Sequence, residues 1–482
     1  MKDAGKREFF IMIKKTSLIL AAMEFVLILG FAVIAGAFTF TDSSNEKIIG
    51  DRPFKRIISL YGAHTENLFS LGLDNEIIGV SKNEAYPPMT MKRPVFSYHD
   101  DAEKFIPARP DLILIRPMIA CAYKGLLKEL KRAGITIVSL QPRTVDEMYS
   151  YWKELGMLTG KEKQAGKMIE DFHKEIGKIK SILNKIPLSK RKRVYFEAIH
   201  SRMKTFAPSS IAAFALKTAG GINVAEDAKA RRGTNIAEYG KERILSHGNE
   251  IDVFLAQRGA MNHVNIRKIR EEGGFKAIKA VRDSQVFIID EKIVSRPTMR
   301  LLDGIYEIGR ILYPAYFNDI SSFLKKRTLT RADFAEFFVK MMNIRLKTPN
   351  YLYDIKKRAK TKHKYGDFKD IDYFGDRYKY IETAVNKGLF NNVKKYKFYP
   401  DLPITRQSVA YAVFMYFDLP DSFASVAIKD VKDSCPLYSQ IESMVSLKLM
   451  YLNKAGEFMP ENPVSGKVLF QMLKKAAELN KN

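Results

Sequence analysis

Two cysteines in 482 residues, Cys121 and Cys435, stand far apart in the chain. A disulfide framework needs more of them. Around Cys435 there is neither a CxxC pair nor a histidine partner, which argues against a metal site there. Tryptophan occurs once, at Trp152, inside a predicted helix, so indole stacking is not expected to dominate a binding site. Acidic residues are also short. There are 54 Asp plus Glu against 80 Lys plus Arg, a net charge of +26. Such an excess suits nucleic acid, an anionic membrane or an anionic polymer. The cations are spread along the whole chain, and no recognition motif interleaves them with aromatics. No nucleic-acid partner is expected; a solvated basic surface facing an anionic envelope is. Enzyme signatures are missing too. No G-x-G-x-x-G follows a strand, and there is no nucleophile elbow and no HExxH. Gly160 to Lys167 approaches a phosphate loop, but its spacing is one residue too long and Met168 stands where Ser or Thr belongs. The expectation is a protein that is not an enzyme, with no catalytic residue, no intrinsic cofactor and no resident metal.

What the chain does have is enough apolar residue, 46%, to build real cores beside 28% charged residues. At roughly 100–200 residues per domain the length allows two to four domains. Lys14 and Lys15 precede an apolar run from Leu18 to Phe40, broken by Glu24 alone among charged types. A positive flank, an apolar run and the small residues Ala35-Gly36-Ala37 predict a signal peptide over 1–41. At roughly 20 residues the run is also long enough to remain as a membrane anchor. No cysteine follows it, so a lipid-modified N-terminus is not expected. Thr41 to Asn45 reads as a linker.

From Arg56 the pattern alternates. Strands are predicted at Arg56–Leu60, Ile77–Val80, Asp111–Ile115 and Ile135–Leu140, with helices over Thr65–Leu71 and Gly125–Ala133 closed by Gly72 and Gly134. Ala165, Met168, Ile169, Phe172, Ile176, Ile179, Leu183 and Ile186 then recur at helical spacing until Pro187. Alternation resumes with strands at Arg193–Phe196, Ile251–Ala256 and Gln285–Asp290 and a helix over Ile211–Ala219. This predicts an α/β lobe over 47–145, connecting helices over 146–187 and a second α/β lobe over 190–314, with mainly parallel sheets. Ligands in open α/β sheets bind beyond the C-terminal strand ends. Tyr61, His64, Tyr98, His99, Arg116, Phe206, Arg258 and Arg296 are therefore the cleft candidates, with His200 and His263 beside them. Aromatics stack on a macrocycle or catecholate, and arginine pairs with carboxylates or an anionic iron chelate. Four histidines near strand ends would allow a haem axial ligand, but direct metal ligation is not the expectation.

Arg56-Ile-Ile-Ser-Leu-Tyr-Gly-Ala-His-Thr-Glu-Asn-Leu-Phe-Ser-Leu-Gly72, Ile78-Gly79-Val80-Ser81 with Tyr86-Pro87-Pro88, and Arg109-Pro110-Asp111-Leu112-Ile113 resemble the opening of solute-binding proteins of ABC importers for iron–siderophores, haem or cobalamin. Ala219 to Ala225, Glu242-Arg243-Ile244-Leu245, Ala280 to Val286 and Arg296-Pro297-Thr298-Met299-Arg300 continue the resemblance in order, over about residues 55–314. The resemblance implies two Rossmann-like lobes joined by a long helix, the class III solute-binding fold, acting as a rigid clamp. It implies that Glu103 and Glu242 are lobe-tip acids that meet arginines of an ABC permease and ATPase complex. Matched charges of that kind fix docking register. The implied ligand is a ferric siderophore, haem or cobalamin. Arg116, Arg258 and Arg296 with Tyr61, Tyr98 and His99 rank an anionic iron complex above cobalamin and bare metal last.

After Pro314 the composition turns helical and rich in aromatics and lysine. Leu329-Thr330-Arg331-Ala332-Asp333 parallels Ile404-Thr405-Arg406-Gln407, each with Thr at a helix N-cap. Phe368-Lys369-Asp370-Ile371 parallels Ile428-Lys429-Asp430-Val431, and Phe398-Tyr399-Pro400-Asp401 parallels Phe458-Met459-Pro460-Glu461. The period is roughly 60–75 residues. This all-α repeat domain, over 320–482, resembles S-layer homology repeats, which hold cell-wall polysaccharide. Two copies and a first helix are recognisable; Val464-Ser465-Gly466-Lys467 lacks the Thr-Arg pair. Arg331 and Arg406 are the candidates for gripping an anionic sugar. The expected location is extracytoplasmic, in the cell envelope. The competing reading is a wall-associated haem- or metal-scavenging or structural surface protein with no permease.

Overall fold

The computed structural model describes residues 38–82, 84, 86–230, 234–346, 368–371, 377–391, 393, 397–421 and 426–480. The expected leader therefore lies outside the described residues up to residue 37. Its expected tail does not. Phe38–Thr41 is a strand, β1, paired antiparallel with Lys47–Gly50, β2. Asp42 closes the turn. One carboxylate oxygen accepts from the Ser44 and Glu46 amides, the other from the Ser139 amide of the first lobe. The residues read as a linker are thus a hairpin bolted to the fold.

The first lobe holds a wholly parallel sheet. Its strands are β3 (Ile57–Ser59), β4 (Ile77–Ser81), β5 (Val95–Phe96), β6 (Leu112–Ile115) and β7 (Thr136–Ser139), in the order β5-β4-β3-β6-β7. Residues 112–114 of β6 and all of β3 are buried, as expected of strands covered on both faces. The second lobe has β8 (Arg193–Ile199), β9 (Lys204–Phe206), β10 (Ile222–Asn223), β11 (Ile236–Glu238), β12 (Val253–Arg258) and β13 (Val286–Asp290). Their order is β11-β9-β8-β12-β13, with β10 also on β8. Here β9 returns antiparallel to β8, so this sheet is mixed.

Helices Val145–Thr159 and Glu162–Leu183 join the lobes. Thr144 caps the first through the Glu147 amide, and Gly160 ends it at φ 67°, a left-handed turn that suits glycine. The second buries Ala165, Met168, Phe172, Ile176 and Ile179, the predicted face, and ends at Leu183, three residues before Ile186. Trp152 is fully buried between them, and its indole N–H donates to the Pro297 carbonyl at 3.1 Å.

The C-terminal region is helical and closes on itself. The Leu329 amide donates to the Val464 carbonyl (2.9 Å), Ile404 to Leu329 (2.9 Å) and Val464 to Ile404 (3.2 Å). From this triangle run helices Arg331–Met341, Arg406–Phe417 and Gly466–Leu479. Among the described residues three such helix starts therefore meet. Thr330 and Ser465 cap backbone amides; the Thr405 hydroxyl instead meets the Ser408 hydroxyl. The glycine that stands in place of the arginine at the third helix start has a steric reason. A Cβ at Gly466 would lie 1.9 Å from the Phe323 carbonyl oxygen, so the helix start is pressed against the segment leading out of the lobes.

Candidate functional site

The C-terminal ends of both sheets open on one cavity of about 2600 Å³. Tyr61 follows β3, Tyr98 and His99 follow β5, and Arg116 follows β6; all line it from the first lobe. Phe206 ends β9, Arg258 ends β12 and Arg296 follows β13; these line it from the second. His263 lines it as well. Seven of the eight cleft candidates line it, six of them beyond parallel strands as the strand-end rule expects and Phe206 from the antiparallel β9.

His64 is the exception. It lies in helix Gly62–Ser70 with no exposed surface, and its ring nitrogens meet the Tyr151 hydroxyl (2.7 Å) and the Ile115 carbonyl (3.0 Å). Burial pushes its pKa down to about 3, so it is a neutral core histidine and not a ligand contact. His200 is likewise buried, with Nδ1 2.9 Å from Glu197 and Nε2 3.7 Å from Glu272. Among the described residues no cluster of three or more His, Cys, Asp or Glu could hold a metal ion.

The lining has a defined chemistry. The Arg116 guanidinium lies 4.5 Å from the Tyr61 ring centroid, over its face. Burial raises the Tyr61 pKa, while Arg296 and Arg116 oppose that shift. The rings of Tyr98, His99 and Tyr123 cluster with centroids 4.5–5.3 Å apart, tilted or edge-on to one another. The Tyr123 hydroxyl sits 3.0 Å from His99 Nδ1 and props that ring; the sequence reading did not single Tyr123 out. Phe206 is almost wholly buried against Phe196, so it offers the cavity little more than an edge.

Arg296 has a second task. Its Nη1 donates to Glu66 of the first lobe at 2.8 Å. Burial works against the Arg296 charge, but Glu66 and Glu84 outweigh it and the pKa is raised. Gly62 makes room: a Cβ there would sit 2.1 Å from Arg296 Nη1. The next residue, Pro297, accepts from Asn67 and Trp152 through its carbonyl. The segment Arg296–Arg300 therefore ties the lobes together at the cavity floor.

Glu103 and Glu242 are exposed in the first turns of the short helices Ala102–Phe105 and Lys241–Ser246, one on each lobe. A carboxylate is favoured at a helix start and stays available to a partner's cations.

The repeat arginines point inward. Arg331 is 6% exposed; its Nε donates to the Phe398 carbonyl at 2.8 Å and its guanidinium lies over the Phe390 and Phe398 rings. Arg406 repeats the geometry, donating to the Phe458 and Tyr451 carbonyls above the Phe458 ring. Asp370 and Asp430 brace the same loops through the amides of residues 398–399 and 458–459. Arg331 and Arg406 thus each bond the loop that leads into the next copy, Arg406 with part of its surface still exposed.

Residues 57–293 match the model of the periplasmic binding protein family, and residues 367–410 that of the S-layer homology domain. The chain is 26% identical over 289 residues to an uncharacterized ABC transporter substrate-binding lipoprotein of Bacillus subtilis, covering 58% of this chain and 87% of that one. It is 23% identical over 258 residues to a vitamin B12-binding protein of Vibrio cholerae, covering 53% and 88%. A solved structure of a possible iron-binding periplasmic solute-binding protein from Staphylococcus epidermidis superposes with a TM-score of 0.48 at 28% identity, covering 54% of this chain and all of that one.

Proposed function

We propose that this chain, whose residues 57–293 are a periplasmic binding protein domain and whose repeats include an S-layer homology domain, captures an iron complex or cobalamin between its lobes and delivers it to an ABC importer while held at the cell wall. Both domains place the protein outside the cytoplasm, in the cell envelope. The observation that carries the reading is the pairing of Arg116 and Arg258, one from each lobe, in a single cavity walled by Tyr61 and Tyr98. Guanidinium groups on facing lobes suit an anionic chelate, and the aromatic walls suit its flat ligand framework. A ferric siderophore or haem therefore ranks first and cobalamin, a ligand named for a relative, second. The lobe-tip pair Glu103 and Glu242 supports docking on a permease, and no catalytic activity is assigned.

The test is titration of the full chain with a ferric hydroxamate, a ferric catecholate, haemin and cyanocobalamin, repeated on Arg116→Glu and Arg258→Glu. Saturable binding of an iron complex that both variants abolish supports the reading. Cobalamin binding with no iron complex bound reverses the ranking. Binding of none removes the capture role.

A further inference from the structure

The cavity does not end at the lobes. At about 2600 Å³ it exceeds the roughly 300–1,000 Å³ of ordinary small-molecule sites. Part of the excess is bounded by the C-terminal repeat domain. Asn343 and Arg345, just past helix Arg331–Met341, line it, as do Lys387 after helix Tyr378–Asn386 and Tyr416 near the end of helix Arg406–Phe417.

A flexible tether would not hold such residues in place, but the joint between the lobes and the repeats is buried and specific. Helix Leu301–Leu312 at the end of the second lobe presents Asp303, Glu307 and Arg310 to the repeats. Arg310, 4% exposed, donates to the Ile344 carbonyl at 2.7 Å and to Asn318 at 2.7 Å. Glu307, also 4% exposed, accepts from Arg345 at 3.1 Å. Asp303 accepts from Lys379 at 2.9 Å, and Asn318 donates to Asn343 at 2.8 Å. On the other lobe Tyr86 is buried in the same apolar cluster as the repeat core, with Arg300 of the lobe junction stacked 4.3 Å over its ring. Charged groups buried this deeply are costly to separate, so the domain is mounted on both lobes in one orientation. Asn343 has a backbone φ of 47°, a left-handed turn that directs residues 344–346 across the joint.

We propose that the repeat domain is a third wall of the ligand cavity, and that Asn343, Lys387 and Tyr416 complete a composite site for a bulky anionic chelate reaching beyond the two lobes. The proposal rests on the capture reading above. Lys387 supplies the charge: it is exposed and, among the described residues, in no ion pair, whereas Arg345 is already held by Glu307. Tyr416 offers an aromatic face and Asn343 an amide, the groups that recognise the polar and conjugated rim of a large chelate.

The experiment uses the full chain with the four probes named above. Lys387→Glu and Tyr416→Ala are compared with Arg116→Glu by titration at low and high salt, and sacculus binding is measured alongside. Lys387→Glu should weaken the bound probe about tenfold at low salt, less at high salt, because a point charge near the surface is screened. Tyr416→Ala should weaken it severalfold, and binding to sacculi should stay unchanged for both. If both variants bind within twofold of the parent while Arg116→Glu abolishes binding, the composite site is wrong and the capture reading stands. If no probe binds the parent, both fall together. Because Lys387 is exposed, its substitution leaves the fold intact, and an unchanged melting curve verifies that.

Discussion

The contact between Glu66 and Arg296 is the most demanding place to test the physics of the clamp. Glu66 is 2% exposed and lies 2.8 Å from Arg296 and 3.5 Å from Arg300. Replacing Glu66 with Ala leaves two guanidinium groups at the lobe junction without their shared carboxylate. Removing one member of a buried pair typically costs about 3–5 kcal/mol, because the other charge stays out of water. For a unit of this size about 1 kcal/mol lowers the melting temperature by about 2–4 °C. Glu66→Ala should therefore melt roughly 6–20 °C early, read by circular dichroism. The double variant Glu66→Leu/Arg296→Met should recover most of that loss, since apolar replacement of a buried pair is often neutral. A single variant that melts within about 2 °C of the parent would refute the reasoning. So would a double variant no more stable than the single one.

Three further outcomes follow from the same geometry. Replacing Glu103 and Glu242 together with Ala should leave probe affinity within error and abolish uptake in cells; parallel loss of affinity would assign both acids to the cleft or to stability. Arg331→Ala should destabilise the repeat domain by about 2–3 kcal/mol in urea unfolding, since it strips the Phe398 carbonyl of a charged donor, and Arg331→Lys should not rescue it. Glu84 is pushed up to about 7 by burial, against the pull of Arg296, so between its ordinary value of 4.5 and about pH 7 it is protonated in the fold where the unfolded chain ionises it. The stability it contributes is full below its ordinary value of 4.5 and is lost as pH rises through 7; Glu84→Gln should remove a slope worth up to about 3 kcal/mol, and an unchanged pH profile would contradict this.

The strand–helix alternation was legible because parallel strands read as short apolar runs and the connecting helix repeats its apolar face at helical spacing. The cleft followed from one rule, that ligands gather beyond strand ends. His64 escaped that rule because it lies five places past the strand and is already the third residue of the next helix, where the inward face meets Tyr151 rather than solvent. Phe38-Thr39-Phe40-Thr41 alternates with a strand's period of two, but it sits at the end of an apolar run that reads as leader. A Thr-Arg pair looks the same whether its guanidinium faces a polymer or the next repeat's carbonyl, so the inward bonds of Arg331 and Arg406 were not legible in the sequence, though their helix starts were. The docking of the repeats on the lobes left no trace, since Asp303, Glu307 and Arg310 have the spacing of any charged helix face.

The decisive measurement is tight, saturable binding of a ferric siderophore or haemin to the full chain, with affinity lost on Arg116→Glu and on Arg258→Glu. One such complex should bind at one site per chain. Failure of every iron complex and of cyanocobalamin to bind the folded protein, with its melting curve unmoved by any of them, would contradict it.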